Sequence, residues 1–366
     1  MHTLKSISFA PVQKDFFTVL NQRIHRHFKE KNISRLANTE MMVKTVFMFG
    51  LYLVPYTLLI SGTVTSVAAM ITCFVVMGIG LAGIGLSVMH DANHGAYSKK
   101  KWVNTALGYS LNLIGGHSMT WKVQHNVLHH TYTNIHEADE DISPRGVLRL
   151  APASPWKPAH RFQHWYAWIL YCLLTLVWVF VKDFTRLHKY QREGLLRTQH
   201  TTARREWAIL IFTKLFYLLC MIVLPAWLLH FSVWQILAGF LLMHAVAGFM
   251  LSVIFQPAHV AEGTEYPMPD ASGRLENSWA VHQLLTTTNF APSARFFSWF
   301  VGGLNYQIEH HLFPNICHVH YRKIAPIVAR TAAEFNLPYR SLPSFRQALV
   351  LHARHLKRLG NQTGMA

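Results

Sequence analysis

Val67-Ala-Ala-Met-Ile-Thr-Cys-Phe-Val-Val-Met-Gly-Ile-Gly-Leu-Ala-Gly-Ile-Gly-Leu-Ser-Val-Met89 runs straight into His90-Asp-Ala-Asn-His94. The apolar run carries no charge and is longer than the ~20 residues a helix needs to cross bilayer hydrocarbon. It ends on two histidines four residues apart, which share one face of a helix. The first reading is therefore a membrane span that carries a pair of imidazoles at its end.

The same kind of run recurs outward from it. Thr45–Gly62 precedes it, and Trp207–Leu229 and Val233–Phe255 follow. The four come as two pairs, joined by Thr63–Ser66 and His230–Ser232, which hold no Lys or Arg. No Lys or Arg lies between Lys44 and Lys99, and Lys214 is the one such residue between Arg205 and Arg274. Two helical hairpins thus cross the membrane, with the basic segments on one side, which the positive-inside rule makes the cytoplasm. The expectation is an all-α, multi-pass integral membrane protein with a cytoplasmic helical cap, read as one domain over residues 1–366.

A fifth apolar stretch, Trp165–Val181, would put the histidine-rich segments on opposite sides if it crossed. It is rich in Trp and Tyr and is flanked by His160, Arg161, His164, Lys182, Asp183 and Arg186. It reads as an interfacial helix over about residues 160–185. Val103–Trp121 is too polar and Gly-rich to span. The polar N-terminal segment, amphipathic around Phe16–Phe28, is expected on the membrane surface.

Composition agrees. Half the chain is hydrophobic (51%) and its mean hydropathy is positive, too apolar for an ordinary soluble enzyme. The 34 Lys and Arg outnumber the 17 Asp and Glu. They lie outside the apolar segments, as anionic lipid rather than nucleic acid would require. Cys73, Cys172, Cys220 and Cys317 form no CxxC pair and no disulfide framework. The first residues lack the apolar core of a signal peptide, so the first span is expected to direct membrane insertion. Gly78-Ile-Gly80-Leu-Ala-Gly83 matches a dinucleotide fingerprint, but it lies inside a span with no preceding strand. Close helix approach explains the small residues better.

Histidine numbers 24, and much of it is grouped. After His90 and His94 come His125-Asn-Val-Leu-His129-His130 and Gln307-Ile-Glu-His310-His311, with His259 just past the fourth apolar run. One HxxxH pair is commonly just a polar helix face. Three groups that the charge pattern places at one membrane face point to a shared metal centre. Imidazole alone leaves Fe, Zn, Cu and Ni open. HExxH, Glu-x-x-His and CxxCH do not occur, against zinc proteases, carboxylate di-iron bundles and covalent haem. A haem- or metal-binding transporter would place histidines within opposed spans, yet Thr45–Gly62 and Val67–Val88 have none. His244, alone deep in a span, reads as a helix-packing group.

HxxxH, HxxxHH and QxxHH on a four-span scaffold resemble the membrane fatty acid desaturase family. His90–Gly95, His125–Asn134, Trp279–Asn289 and Asn305–Pro314 carry the likeness, which covers most of the chain. The glutamine heading the third box, with Leu312-Phe-Pro314 after it, is most similar to front-end and related acyl-lipid or acyl-CoA desaturases. The resemblance implies two iron ions at the cytoplasmic face with O2 as co-substrate, held by His90, His94, His125, His129, His130, His310 and His311. A further ligand comes from the end of the last span, where His259 fits best and His282 is the runner-up. Gln307 stands where many relatives have histidine, and would bind through water or orient a neighbour. Asp91, Asn134, Asp139, Asp141 and His318 would hold the ligands in place.

The C–H bonds of a saturated chain resist acid, base and nucleophile, so an oxidising metal centre is needed. The implied reaction removes two vicinal hydrogens to leave a cis double bond, with the acyl chain held in a narrow apolar tunnel whose mouth lies among basic residues. Front-end members with a fused cytochrome b5 carry His-Pro-Gly-Gly. No His-Pro occurs here, so the electrons are expected from a separate carrier, ferredoxin or cytochrome b5 with its reductase. A lipid or carotenoid hydroxylase or ketolase shares the boxes and is the alternative.

Overall fold

A computed structural model describes residues 7–142 and 146–362. Four helices are long and apolar enough to cross a membrane: Thr39–Ile60, Val67–Asn93, Ala203–Leu228 and Val233–His259. Each contains one of the expected runs almost whole, and three start on a side-chain cap. Asn38, Ser66 and Thr202 accept from the amides of Met41, Ala69 and Arg205, satisfying donors that a helix start otherwise leaves unpaired. The chain is helical, with two short parallel strand pairs, Ser8–Phe9 with Arg274–Leu275 and Asn289–Phe290 with Ser341–Leu342, among the described residues.

The chain divides into two compact units. One comprises Asn38–Val123 and Trp168–Val253 and holds most of each span. Its helices approach closely where glycine permits. A Cβ on Gly78 would stand 2.6 Å from the Met243 carbonyl oxygen, and one on Gly80 would stand 2.7 Å from the Tyr52 nitrogen. The decoy fingerprint is thus a helix-packing surface. The third and fourth spans meet through Tyr217, whose hydroxyl is 2.9 Å from His244 Nε2, and His244 Nδ1 is 2.9 Å from Thr175 Oγ1. Lys214, buried in the third span, is held by Asp183 Oδ2 at 2.6 Å and by the carbonyls of Gly115 and Trp178 at 2.6 and 2.9 Å. These contacts meet the demand that a charge inside a membrane protein be paired. Val46, Phe212, Trp227 and Trp234 are exposed along the spans, as a lipid-facing surface requires.

The fifth apolar stretch is two helices, Pro158–Cys172 and Leu174–Arg192, bent by 61° at their junction. Trp165, Ile169 and Phe180 on it are exposed.

The other unit comprises the described residues within 1–37, 124–167 and 254–366. Its core joins four helices distant in sequence. Phe16, Leu20 and Ile24 of Lys14–Glu30 pack with Leu284 of Trp279–Thr286, Leu312 of Gln307–Leu312 and Val328 of Tyr321–Glu334. The apolar stripe around Phe16–Phe28, expected on the membrane surface, is therefore taken up by this chain's own helices. Those helices bury a large apolar area, and burial is favourable at roughly 25 cal/mol per Å2.

Candidate metal centre

The first box closes the second span. A π-helical segment, Ile84–Val88, directly precedes the helical turn Met89–Asn93, a departure from α-helix common at functional sites. His90 and His94 stand with ring centroids 4.7 Å apart, and both meet Trp121 edge-on at 5.5 and 5.6 Å.

The second box lies in another π-helical segment, Lys122–His129. There the bonding step is five residues rather than four, so residues five apart stack as well as residues four apart. His125 consequently meets both His129 and His130, at 5.1 and 4.8 Å between centroids. An ordinary helix would turn His130 away.

Five candidate imidazoles in this unit, four from the boxes and His259, are held through Nδ1. His125 Nδ1 is 3.2 Å from Asp141 Oδ2, and His129 Nδ1 is 2.9 Å from Asp139 Oδ2. His311 Nδ1 is 2.8 Å from Gln283 Oε1, His310 Nδ1 is 3.2 Å from the Tyr321 hydroxyl, and His259 Nδ1 is 3.3 Å from the Thr286 carbonyl. An acceptor at Nδ1 fixes the tautomer that leaves the Nε2 lone pair for an ion. The Nε2 atoms of His129 and His259 are buried without a hydrogen-bond partner.

The ligand atoms of His129, His259 and His311 all lie within 4.8 Å of one another, as do those of His130, His310 and His311. Imidazole nitrogens bind a divalent ion such as zinc at ~2.0–2.1 Å. Two ligands of one ion then stand at most about 4.2 Å apart, a difference that small side-chain movement covers. Buried, preoriented imidazoles backed by carboxylates form a donor set that fits transition-metal ions. Burial works against the protonated form of His129, but the charge and hydrogen bond of Asp139 outweigh it and hold this imidazole above its ordinary pKa.

The remaining predicted residues are placed as follows. Asn134 is fully buried with φ at 60°. Its side-chain amide donates to the carbonyls of His259 and Glu265 at 2.9 and 3.0 Å, and its backbone N–H donates to Asp139 Oδ2 at 2.9 Å. It therefore ties the second box to the end of the fourth span. Gln307 precedes His310 and His311 by three and four residues on the helix Gln307–Leu312. Its Nε2 donates to the Leu304 carbonyl at 2.8 Å, and its buried Oε1 has no partner. His282 sits apart from the gathered imidazoles, its Nε2 donating to the Thr133 carbonyl at 2.8 Å, and burial presses its pKa down to about 4. His318 is buried in the turn His318–His320. Asp91 is buried beside His90, with 3.7 Å between Asp91 Oδ1 and His90 Nδ1.

Sequence reasoning missed several supports. Gln283 accepts from His311 and from Thr133 Oγ1, the latter at 2.9 Å. Trp279 Nε1 donates to the His130 carbonyl at 3.1 Å. Glu309 is buried between His310 and Ile308. It accepts from Asn289 Nδ2 at 2.7 Å and the Tyr339 hydroxyl at 2.8 Å, and burial raises its pKa to about 7. Tyr321 and Tyr339 carried no spacing signal. Gln283 and Asn289 fall in Trp279–Asn289, a segment legible only through its likeness to the family.

Spans and imidazoles together define a polytopic helical membrane protein with buried histidine clusters able to hold a metal ion. The sequence model described as "Fatty acid desaturase" matches residues 65–343. An acyl-lipid (8-3)-desaturase of Physcomitrium patens is 37% identical over 95% of this chain and 72% of its own length. The sn-1 linoleoyl-lipid 6-desaturases of Arthrospira platensis and Synechocystis sp. are each 35% identical. The first match covers 93% of this chain and 91% of the relative, the second 98% and 99%. The chain belongs to the fatty acid desaturase family: it is an oxidoreductase of lipid metabolism that introduces double bonds into fatty acyl chains.

Proposed function

We propose that the protein desaturates an acyl chain esterified in a membrane lipid, using O2 at two iron ions held by His90, His94, His125, His129, His130, His259, His310 and His311. The observation that carries the lipid substrate is the similarity to an acyl-lipid desaturase and to two linoleoyl-lipid desaturases. The gathered imidazoles, with Nδ1 occupied and Nε2 available at His129 and His259, support the metal set. His90 and His94 join the set because their box matches the family's first motif. With electrons from an external donor, ferredoxin or cytochrome b5 with its reductase, iron supplies the oxidising power that removes hydrogen from an unactivated C–H bond.

The chain's own residues preorganise this centre. Asp139, Asp141, Gln283 and Tyr321 fix the ring orientations through Nδ1. Trp279 and Gln283 hold the His130 backbone. Burial of His90, His125, His129, His130, His259, His310 and His311 keeps bulk water from the reacting positions. Gln307 Oε1, buried without a partner on the helix that carries His310 and His311, would accept a hydrogen bond from a water at the centre. The centre faces the cytoplasm, because the basic segments flank the spans on the side of the boxes. The bent stretch 158–192 lies in the interface, with Trp165 and Ile169 toward lipid.

Expression in a host of known lipid profile, followed by location of new double bonds in each lipid class by mass spectrometry, tests the reading. New unsaturation in intact glycerolipids, lost together with bound iron in His129→Ala, is the expected result. Hydroxylated or keto lipid without unsaturation favours the hydroxylase alternative. Product retained by His129→Ala removes the ligand assignment.

A further inference from the structure

Desaturation has an electron requirement that the acyl chain meets only in part. Converting –CH2–CH2– to –CH=CH– releases two electrons and two protons. Reducing O2 to two waters takes four of each. Two electrons must therefore arrive from a reduced carrier, with two protons from solvent, and that carrier needs a place to dock.

The helices Lys14–Glu30 and Tyr321–Glu334 pack together through Phe16, Leu20, Ile24, Ile324 and Val328. Arg23 bridges them, donating to Glu334 Oε2 at 2.7 Å and to Thr331 Oγ1 at 3.0 Å. Their outer faces are basic. Arg26, Lys29, Lys31, Arg322, Lys323 and Arg330 are exposed, against Asp15, Glu30 and the already paired Glu334. Burial chiefly disfavours the protonated form of His27, and the charges of Lys31 and Lys323, far apart in sequence, add to it, so these two lysines of different helices lie on one surface. The buried face of the second helix reaches the metal centre, with the Tyr321 hydroxyl 3.2 Å from His310 Nδ1. A protein seated on the outer face is then separated from His310 by about one helix thickness, ~10–12 Å.

We propose that this surface is the docking site of an acidic electron-carrier protein that reduces the metal centre. The inference rests on the desaturase reading above. At ~1.5 Å per residue the two helices are about 25 and 21 Å long, so the face offers roughly 500 Å2 to a partner, the size of a transient electron-transfer contact. An anionic membrane surface is the rival occupant. Chain segments that lie in an interface expose large apolar side chains beside their charges, as Trp165 and Phe180 do here. Neither of these two helices exposes one, which favours a soluble acidic protein.

The test uses the full chain in phosphatidylcholine nanodiscs, with the lipid found to be converted on expression as substrate. An acidic [2Fe–2S] ferredoxin, reduced by NADPH and its reductase, is the probe. Arg26→Glu/Lys31→Glu/Lys323→Glu/Arg330→Glu is compared with the native chain and with Lys99→Glu/Lys100→Glu/Lys101→Glu. The first variant is expected to raise the KM for ferredoxin at least tenfold at low ionic strength and to flatten its salt dependence. It is expected to keep the acyl KM and the single-turnover product formed after chemical reduction with dithionite, and the second variant is expected to match the native chain. An unchanged KM for ferredoxin overturns the proposal. So does a defect that tracks the anionic-lipid content of the disc, or one that persists with dithionite. A native chain that converts no lipid on expression instead overturns the desaturase reading itself.

Discussion

Asn134→Ala probes how tightly the second box is coupled to the end of the fourth span. The substitution removes the hydrogen bonds donated to the carbonyls of His259 and Glu265 at 2.9 and 3.0 Å, and a longer one to the Thr286 carbonyl at 3.5 Å. Leaving a buried acceptor such as the His259 carbonyl unsatisfied costs about 1–3 kcal/mol, and the Glu265 carbonyl, on an exposed residue, adds less. The backbone adds to this. Asn134 has φ at 60°, a left-handed conformation that asparagine tolerates and alanine resists by about 1–2 kcal/mol. The sum is a sizeable part of the ~5–15 kcal/mol by which domains are stable, and it falls where His259 is set. The expected outcome is a lowered melting temperature and iron affinity reduced ~10–100-fold, as for loss of a residue that orients a ligand. Asn134→Gly restores the backbone freedom but not the donors, so it should recover the backbone part of the melting temperature and little of the iron. The assays are thermal unfolding by tryptophan fluorescence and iron competition against a chelator, both in detergent. Native melting temperature and native iron content in Asn134→Ala would refute the coupling.

Gln283→Ala removes the acceptor at His311 Nδ1 and should weaken iron binding ~10–100-fold; chelator competition at the native value contradicts it. Gly78→Ala drives a Cβ to 2.6 Å from the Met243 carbonyl, whereas Gly50→Ala meets nothing within 4 Å. The first should lower stability by ~1–3 kcal/mol, and the second should leave it unchanged or slightly raised; equal melting temperatures would sink the close-packing account. His282, His352 and His355 are held at about 4, 4 and 3, chiefly by burial. Their unfolded forms take up protons near pH 6.5 while the native forms stay neutral. Stability is therefore complete above about pH 6.5 and falls as pH drops toward 4, by up to ~1.4 kcal/mol per unit for each histidine. A melting temperature that rises between pH 7 and pH 5 would contradict this.

Much of the fold was legible because a bilayer imposes a length and an apolarity that composition records directly. Thr45–Gly62, Val67–Met89, Trp207–Leu229 and Val233–Phe255 each fall almost wholly within an observed helix. His90, His125, His129, His130, His310 and His311 stood out because imidazoles at helical spacing are hard to explain otherwise. The rest depended on contacts between distant segments. The sequence promised an ordinary helix across the second box, whereas packing imposes the five-residue step of a π-helix that turns His130 onto the face of His125. The stripe of Phe16, Leu20 and Ile24 had the right period for a helix, but periodicity does not say whether lipid or protein will cover it, and Leu312 and Val328 do. Gln283, Tyr321 and Asn134 reach His311, His310 and His259 through hydrogen bonds across 11 to 125 residues of chain. By itself the amino-acid order determined the spans and the imidazoles. Only the tertiary structure decided which ring nitrogen of His125, His129, His259, His310 and His311 is engaged and which is left available, because a tautomer is set by the partner on the other side of the ring.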